Sequence, residues 1–92
     1  MKDESLQKTI QAYLLQKNIH RAAIFGSYAR NEANEHSDID LLIEADGLTM
    51  FDILRMELEL EQLTNKKIDM VEYSAIKPSI REQVLASQIR IL

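Results

Sequence analysis

Apolar and polar positions alternate along this chain in two rhythms, one helical and one extended. Near the start, Leu6, Ile10, Tyr13, Leu14 and Lys17 follow helical spacing on one face, with Asp3 or Ser5 placed to cap the helix. Residues 19–25 read as a short buried strand ending at Gly26, and a short helix is predicted from Ser27 or Tyr28 to about Ala33. The polar tetrad 34–37, Asn-Glu-His-Ser, is a turn, and 38–45 is a second strand carrying Ile39, Leu41, Leu42 and Ile43. Asp46-Gly47 breaks that strand. The longest helix follows over 48–63 and stops at Asn65-Lys66. A third strand is predicted over 67–73. Pro78 suits the first turn of a further helix to about Ala86, and the terminal Gln-Ile-Arg-Ile-Leu is read as one last short strand.

Helix and strand therefore alternate, which is an α/β (α+β) pattern. It implies a small mixed sheet of three to four strands with helices packed mainly on one face. With two glycines, one proline and neither repeat nor linker, residues 1–92 are read as a single domain. The 48–63 helix carries two apolar stripes: Phe51, Leu54 and Leu58 on one, Ile53, Met56, Leu60 and Leu63 on the other, with Glu57 and Glu61 between. Two stripes need two partners. The sheet is one, and the other is either the N-terminal helix or a second protein chain, in a homo- or hetero-oligomer.

One stretch breaks the expected economy of a strand. Asp38 and Asp40 enter the second strand one residue apart, so both project to one face, while Ile39 and Leu41 point to the other. Carboxylates this close repel unless protons or cations intervene, and magnesium, which prefers oxygen ligands, suits them. Two ions held there would neutralise a leaving pyrophosphate. Gly26-Ser27 supplies the complementary half: a strand turning through glycine into a helix start presents backbone N–H groups and a hydroxyl to a phosphate. Asp69, early in the third strand, is the candidate third carboxylate and proton acceptor, and Glu72 falls on the opposite face.

Charge and composition narrow the partners. Fifteen acids against eleven bases leave a net charge of −4, which argues against a nucleic-acid surface but leaves room for a nucleotide bound with divalent cations. Without cysteine, any metal must be held by oxygen or histidine. No apolar run is long enough to cross a membrane and no signal-peptide core precedes the first helix, so the expected location is cytoplasmic.

Gly26-Ser27, ten residues, then Asp38-x-Asp40 resembles the signature of the polymerase-β-like nucleotidyltransferase superfamily. The Gly-Ser-x-Ala-Arg form and small size are similar to its minimal nucleotidyltransferase branch, over about Ile19 to Tyr73. The resemblance implies that Gly26 and Ser27 contact the triphosphate, that Asp38 and Asp40 bind two magnesium ions, and that Asp69 is the third ligand. It further implies transfer of a nucleoside monophosphate, AMP from ATP, to an acceptor hydroxyl. Short members pair with a helical HEPN toxin as its antitoxin in type VII toxin–antitoxin systems, adding AMP to a tyrosine of the toxin. Asn31 departs from a glycine common in relatives, and the chain lacks the second domain by which polymerases hold nucleic acid. Both the size and the charge favour an acceptor delivered by a protein partner.

Asp38 also suits a strand-entry position, and Arg30 either pairs with a nearby acid or touches phosphate. Lys77 and Arg81 read as solvated helix charge, and His20 and His36 as surface residues without a metal partner. The alternative function is a non-catalytic antitoxin that neutralises its partner by occlusion through the second stripe of the 48–63 helix.

Overall fold

A computed structural model describes residues 3–92. The elements run α1 (Glu4–Gln16), β1 (Arg21–Phe25), α2 (Gly26–Ala29), β2 (Ile39–Glu44), α3 (Met50–Thr64), β3 (Ile68–Glu72), a 3-10 turn (Tyr73–Ala75), α4 (Pro78–Ser87) and β4 (Ile89–Arg90). The four strands form one mixed sheet in the order β3-β2-β1-β4, with β1 antiparallel to β2 and β4, and β2 parallel to β3. The expected α/β architecture with a small mixed sheet is observed.

Burial follows the strand alternation. Ala22 and Ile24, Ile39, Leu41 and Ile43, then Ile68 and Met70 turn to one face, where they pack with Ile10 and Leu14 of α1 and Met56 and Leu60 of α3. Each fully buried leucine or isoleucine there contributes roughly 2 kcal/mol through burial. Ala23, Leu42 and Val71 turn to the other face, beneath Tyr73, Ile76, Val84 and Leu85. Helical cover is thus heavier on one face, as expected, but the opposite face is closed in part by the 3-10 turn and α4. Arg21 stacks its guanidinium 4.0 Å above the Tyr73 ring, and the Tyr73 hydroxyl donates to Gln88 at 2.9 Å, which pins that second layer.

The helix ends explain why two glycines suffice. Asp3 caps α1 by accepting from Leu6 N at 3.0 Å, so of the two candidate caps it is Asp3 that acts. Thr49 and Asp52 form a reciprocal capping box on α3. Asn18, Asn31 and Asn65 all adopt left-handed backbone, at φ 57°, 59° and 58°. Asparagine tolerates that region better than other residues with a Cβ. At Asn31 the reason is a Schellman turn: Glu32 N donates to Ser27 O at 2.9 Å and Asn31 N to Tyr28 O at 3.3 Å. This ends α2 at Ala29, four residues short of the expected boundary, with an asparagine in the left-handed position.

Helix α3 resolves the two-stripe question in an unexpected way. Met56 and Leu60, with Ile53 partly buried, face the sheet and α1 together, so α1 shares the stripe already used by the sheet. Tyr13 donates to Glu59, and Lys17 lies 3.6 Å from the same carboxylate. Phe51, Leu54 and Leu58 remain exposed, Phe51 at 80%, and Leu63 is 58% exposed despite belonging to the inward stripe by spacing. Glu57 and Glu61 accept from Met70 N at 2.8 Å and Ile68 N at 3.3 Å, closing the free edge of β3.

Candidate active site

Strand register builds the site. Phe25 on β1 pairs with Asp40 on β2, and Asp40 pairs with Asp69 on β3, so the three side chains form one row across the sheet on the α4 face. Asp38 precedes β2 by one residue, and extended alternation turns it to the same side as Asp40. The first predicted carboxylate therefore sits at the strand's entrance rather than within it. All three acids converge at one rim of the sheet, where β1 ends and β2 and β3 begin.

Gly26 closes that rim. Its φ of +71° is left-handed, and a Cβ there would collide with Asp40 Oδ2 and lie 3.2 Å from Asp40 Cγ. Glycine is required twice over, by backbone and by the carboxylate beside it. Ser27 follows in the first turn of α2, whose opening amides have no acceptor within the helix. Because α2 has only four residues, its dipole is weak, and the turn's contribution comes from individual N–H groups and the Ser27 hydroxyl rather than from a long helix.

Electrostatically the rim is dominated by acids. Partial burial pushes the Asp40 carboxyl above the usual range, the Asp69 and Asp38 charges push it further, and only Arg30 opposes them. Arg30 is half exposed and donates from Nε to Glu32 at 3.1 Å, which is the acid pairing of the two roles considered for it. Among the described residues, no three acidic or histidine side chains already stand at the mutual spacing of a formed metal shell. A hard-oxygen donor set of this kind fits magnesium, which Asp38, Asp40 and Asp69 would hold.

Two cavities flank the row under α4. One of about 460 Å³ reaches Gly26 and Arg30 together with Gln83 and Ser87; the other, of about 270 Å³, reaches Val71, Ala75, Ile76 and Lys77. Phe25, Ile80 and Val84 line both. None of these three was singled out from sequence, because strand and helix patterning marks them only as apolar. The remaining candidates lie elsewhere. Glu72 ends β3 on the opposite face from Asp69, as alternation requires. His20 contacts Asp46 at 3.1 Å and His36 contacts Glu35 at 3.4 Å, both exposed. Arg81 is an exposed residue of α4.

Comparison with known proteins agrees with this geometry. A protein of Methanocaldococcus jannaschii, provisionally named a protein adenylyltransferase, is 38% identical over 93 residues, covering all of both chains. The protein adenylyltransferase MntA of Thermococcus cleftensis is 31% identical over 74 residues, covering 79% of this chain and 75% of the relative. Among solved structures, one described as a minimal nucleotidyltransferase superposes with a TM-score of 0.80 at 39% identity, over 97% of this chain and 95% of its own. A toxin–antitoxin crystal structure with AMP-PNP shares the fold at a TM-score of 0.83 and 20% identity, over 94% of this chain and 72% of its own. The family described as polymerase beta nucleotidyltransferase matches residues 7–92, and the chain belongs to that nucleotidyltransferase family.

Proposed function

We propose that this chain is a protein adenylyltransferase that moves AMP from ATP to a hydroxyl of a HEPN-type toxin, acting as its antitoxin in the cytoplasm. The observation that carries the reading is the in-register pair Asp40–Asp69, with Asp38 on the same side and Gly26 against Asp40. Family membership and the 38% identical relative of full coverage support the reaction class. The likeness to a toxin–antitoxin structure supports the partner at the level of fold. Residues 1–92 are read as one minimal domain, and the acceptor is taken to be presented by the partner.

Asp38, Asp40 and Asp69 would hold two magnesium ions, which when bound supply positive charge to the triphosphate and to the entering oxygen. The Gly26–Ser27 turn orients the β- and γ-phosphates by backbone N–H groups and the Ser27 hydroxyl, and Arg30 adds a charge on the same side. Asp69 accepts the proton of the acceptor hydroxyl as its oxygen bonds to the α-phosphorus. The bond to the bridging oxygen breaks, and the electron pair leaves with pyrophosphate. The test is intact-mass measurement of a HEPN-type protein incubated with this chain, ATP and magnesium. A gain of one AMP supports the reading; complex formation without any gain overturns it.

The exposed Met50, Phe51, Leu54 and Leu58 on α3 support a second reading, neutralisation by occlusion. Under it, Phe51→Asp abolishes protection while Asp40→Asn retains it. Under the enzymatic reading, Asp40→Asn loses protection whether or not the complex still forms.

A further inference from the structure

We propose that Lys67 docks the acceptor protein by binding a carboxylate side chain that flanks the hydroxyl to be modified; this rests on the transferase reading above. Along the chain, Lys66-Lys67 is ordinary charge just past the end of α3. The structure separates the two. Lys66 turns back over α2, with its Nζ 5.9 Å from the centre of the Tyr28 ring and 3.5 Å from the Glu35 carbonyl oxygen. Lys67 already belongs to the strand ladder, because Ile39 N donates to its carbonyl oxygen at 2.9 Å.

Register gives Lys67 its place. Ile39 pairs with Ile68 and Asp40 with Asp69 on parallel strands, so one step outward Lys67 lies beside Asp38. Lys67 precedes Asp69 by two residues, and extended alternation turns both to the α4 face, as it turns Asp38 with Asp40. The site therefore has an outer row, with the Gly26–Ser27 turn at its β1 end, Asp38 in the middle and Lys67 at its β3 end. Lys67 is exposed, and among the described residues no hydrogen bond or ion pair engages its ammonium group.

In-line displacement needs the entering and leaving oxygens on opposite sides of the phosphorus. With pyrophosphate held at the Gly26–Ser27 turn beside β1, the acceptor enters from the β3 side, where Asp69 takes its proton. Lys67 stands on that side, roughly 7 Å outward of Asp69 at the rise of an extended strand, so it meets the acceptor and not the leaving group. That spacing matches a hydroxyl and the side chain of a near neighbour in an acceptor segment. Charge then selects the neighbour. Asp38, Asp40, Asp69 and a net charge of −4 repel an acidic surface, and Lys67 is the point in the outer row where a carboxylate is attracted. Attraction at one point and repulsion around it fix the orientation of the acceptor as well as holding it. A nucleic-acid end would bring phosphates that call for several cations.

The test measures labelled-AMP transfer from ATP to a HEPN-type protein by the full chain in magnesium. Lys67→Gln should raise the KM for that acceptor at least tenfold and leave AMP-PNP affinity within twofold, with an unchanged melting curve because the side chain is exposed. Lys67→Arg should keep the parent KM, and so should Lys66→Gln, whose side chain lies over Tyr28. Peptide mapping then locates the modified hydroxyl. Lys67→Glu should lose transfer, and changing an acidic acceptor residue beside that hydroxyl to lysine should restore it. A KM indifferent to Lys67→Gln would overturn the proposal, as would the lack of any acidic residue beside the hydroxyl or a charge reversal that restores nothing. Weaker AMP-PNP binding with an unchanged acceptor KM would make Lys67 a triphosphate ligand and overturn it equally. Absence of transfer by the parent chain would instead overturn the transferase reading, and the role of Lys67 with it.

Discussion

Asp40 and Asp69 stand opposite one another in register on the parallel strands β2 and β3, so their carboxylates share one face of the sheet at neighbouring-strand distance. Two residues 29 positions apart in the chain (69 minus 40) thereby become one electrostatic unit, with Asp38 as its third member.

Burial of Asp40, reinforced by the Asp69 and Asp38 charges, has a stability signature. The Asp40 carboxyl is raised above its ordinary value of 3.8 in the fold, so its penalty is absent below that value and grows as pH rises through the folded value. Asp40→Asn should therefore melt higher at pH 7, by roughly 2–4 °C if about 0.5 kcal/mol of burial and repulsion penalty is relieved, and match the parent near pH 3. The same variant should lose at least about a hundredfold in transfer rate. Calorimetry across pH and labelled-AMP transfer check the two halves.

At Gly26 the prediction runs the other way. Gly26→Ala places a Cβ against the Asp40 carboxylate in left-handed backbone, so it should destabilise by about 1–3 kcal/mol and displace Asp40. Denaturant unfolding measures the first effect. Magnesium-dependent AMP-PNP binding measures the second, and it should fall together with stability.

Glu57 and Glu61 guard an edge. Replacing both by alanine leaves the outward N–H groups of Met70 and Ile68 without their carboxylate acceptors. Stability should drop by about 2 kcal/mol for the Met70 bond alone. The uncovered strand should also promote self-association, read by light scattering against protein concentration.

The link between α1 and α3 should shape the pH dependence of melting. Glu59 is held below its usual range, chiefly by the Tyr13 hydrogen bond, so its contribution is present above about pH 4.5 and lost as pH falls through the folded value. Burial, reinforced by Glu59, raises the Tyr13 phenol, so its contribution is present below pH 10 and declines as pH rises further. Tyr13→Phe should lower the melting temperature between these limits and flatten both limbs of the profile.

Much of this protein was legible in order along the chain. The strand and helix sequence, the break at Gly47 and the shared face of Asp38 and Asp40 all follow from local pattern, because side-chain direction repeats every two or 3.6 residues; the choice of Asp3 over Ser5 as the α1 cap did not. Gly26-Ser27 stood out because few other stretches place glycine at the end of an apolar run. Element boundaries were less legible, since α2 ends at a Schellman turn whose left-handed residue is an asparagine.

Other features exist only once distant segments meet. Patterning along α3 revealed two apolar stripes but not that α1 and the sheet would share one of them. Nor did it reveal that Glu57 and Glu61 serve a strand edge rather than solvent. The register that puts Phe25, Asp40 and Asp69 in one row comes from hydrogen bonding between strands, and the cavities beside it from the packing of α4. Periodicity is carried by neighbouring residues and survives in a string of letters. Register and enclosure depend on which strand lies beside which, and that is settled by packing the whole core.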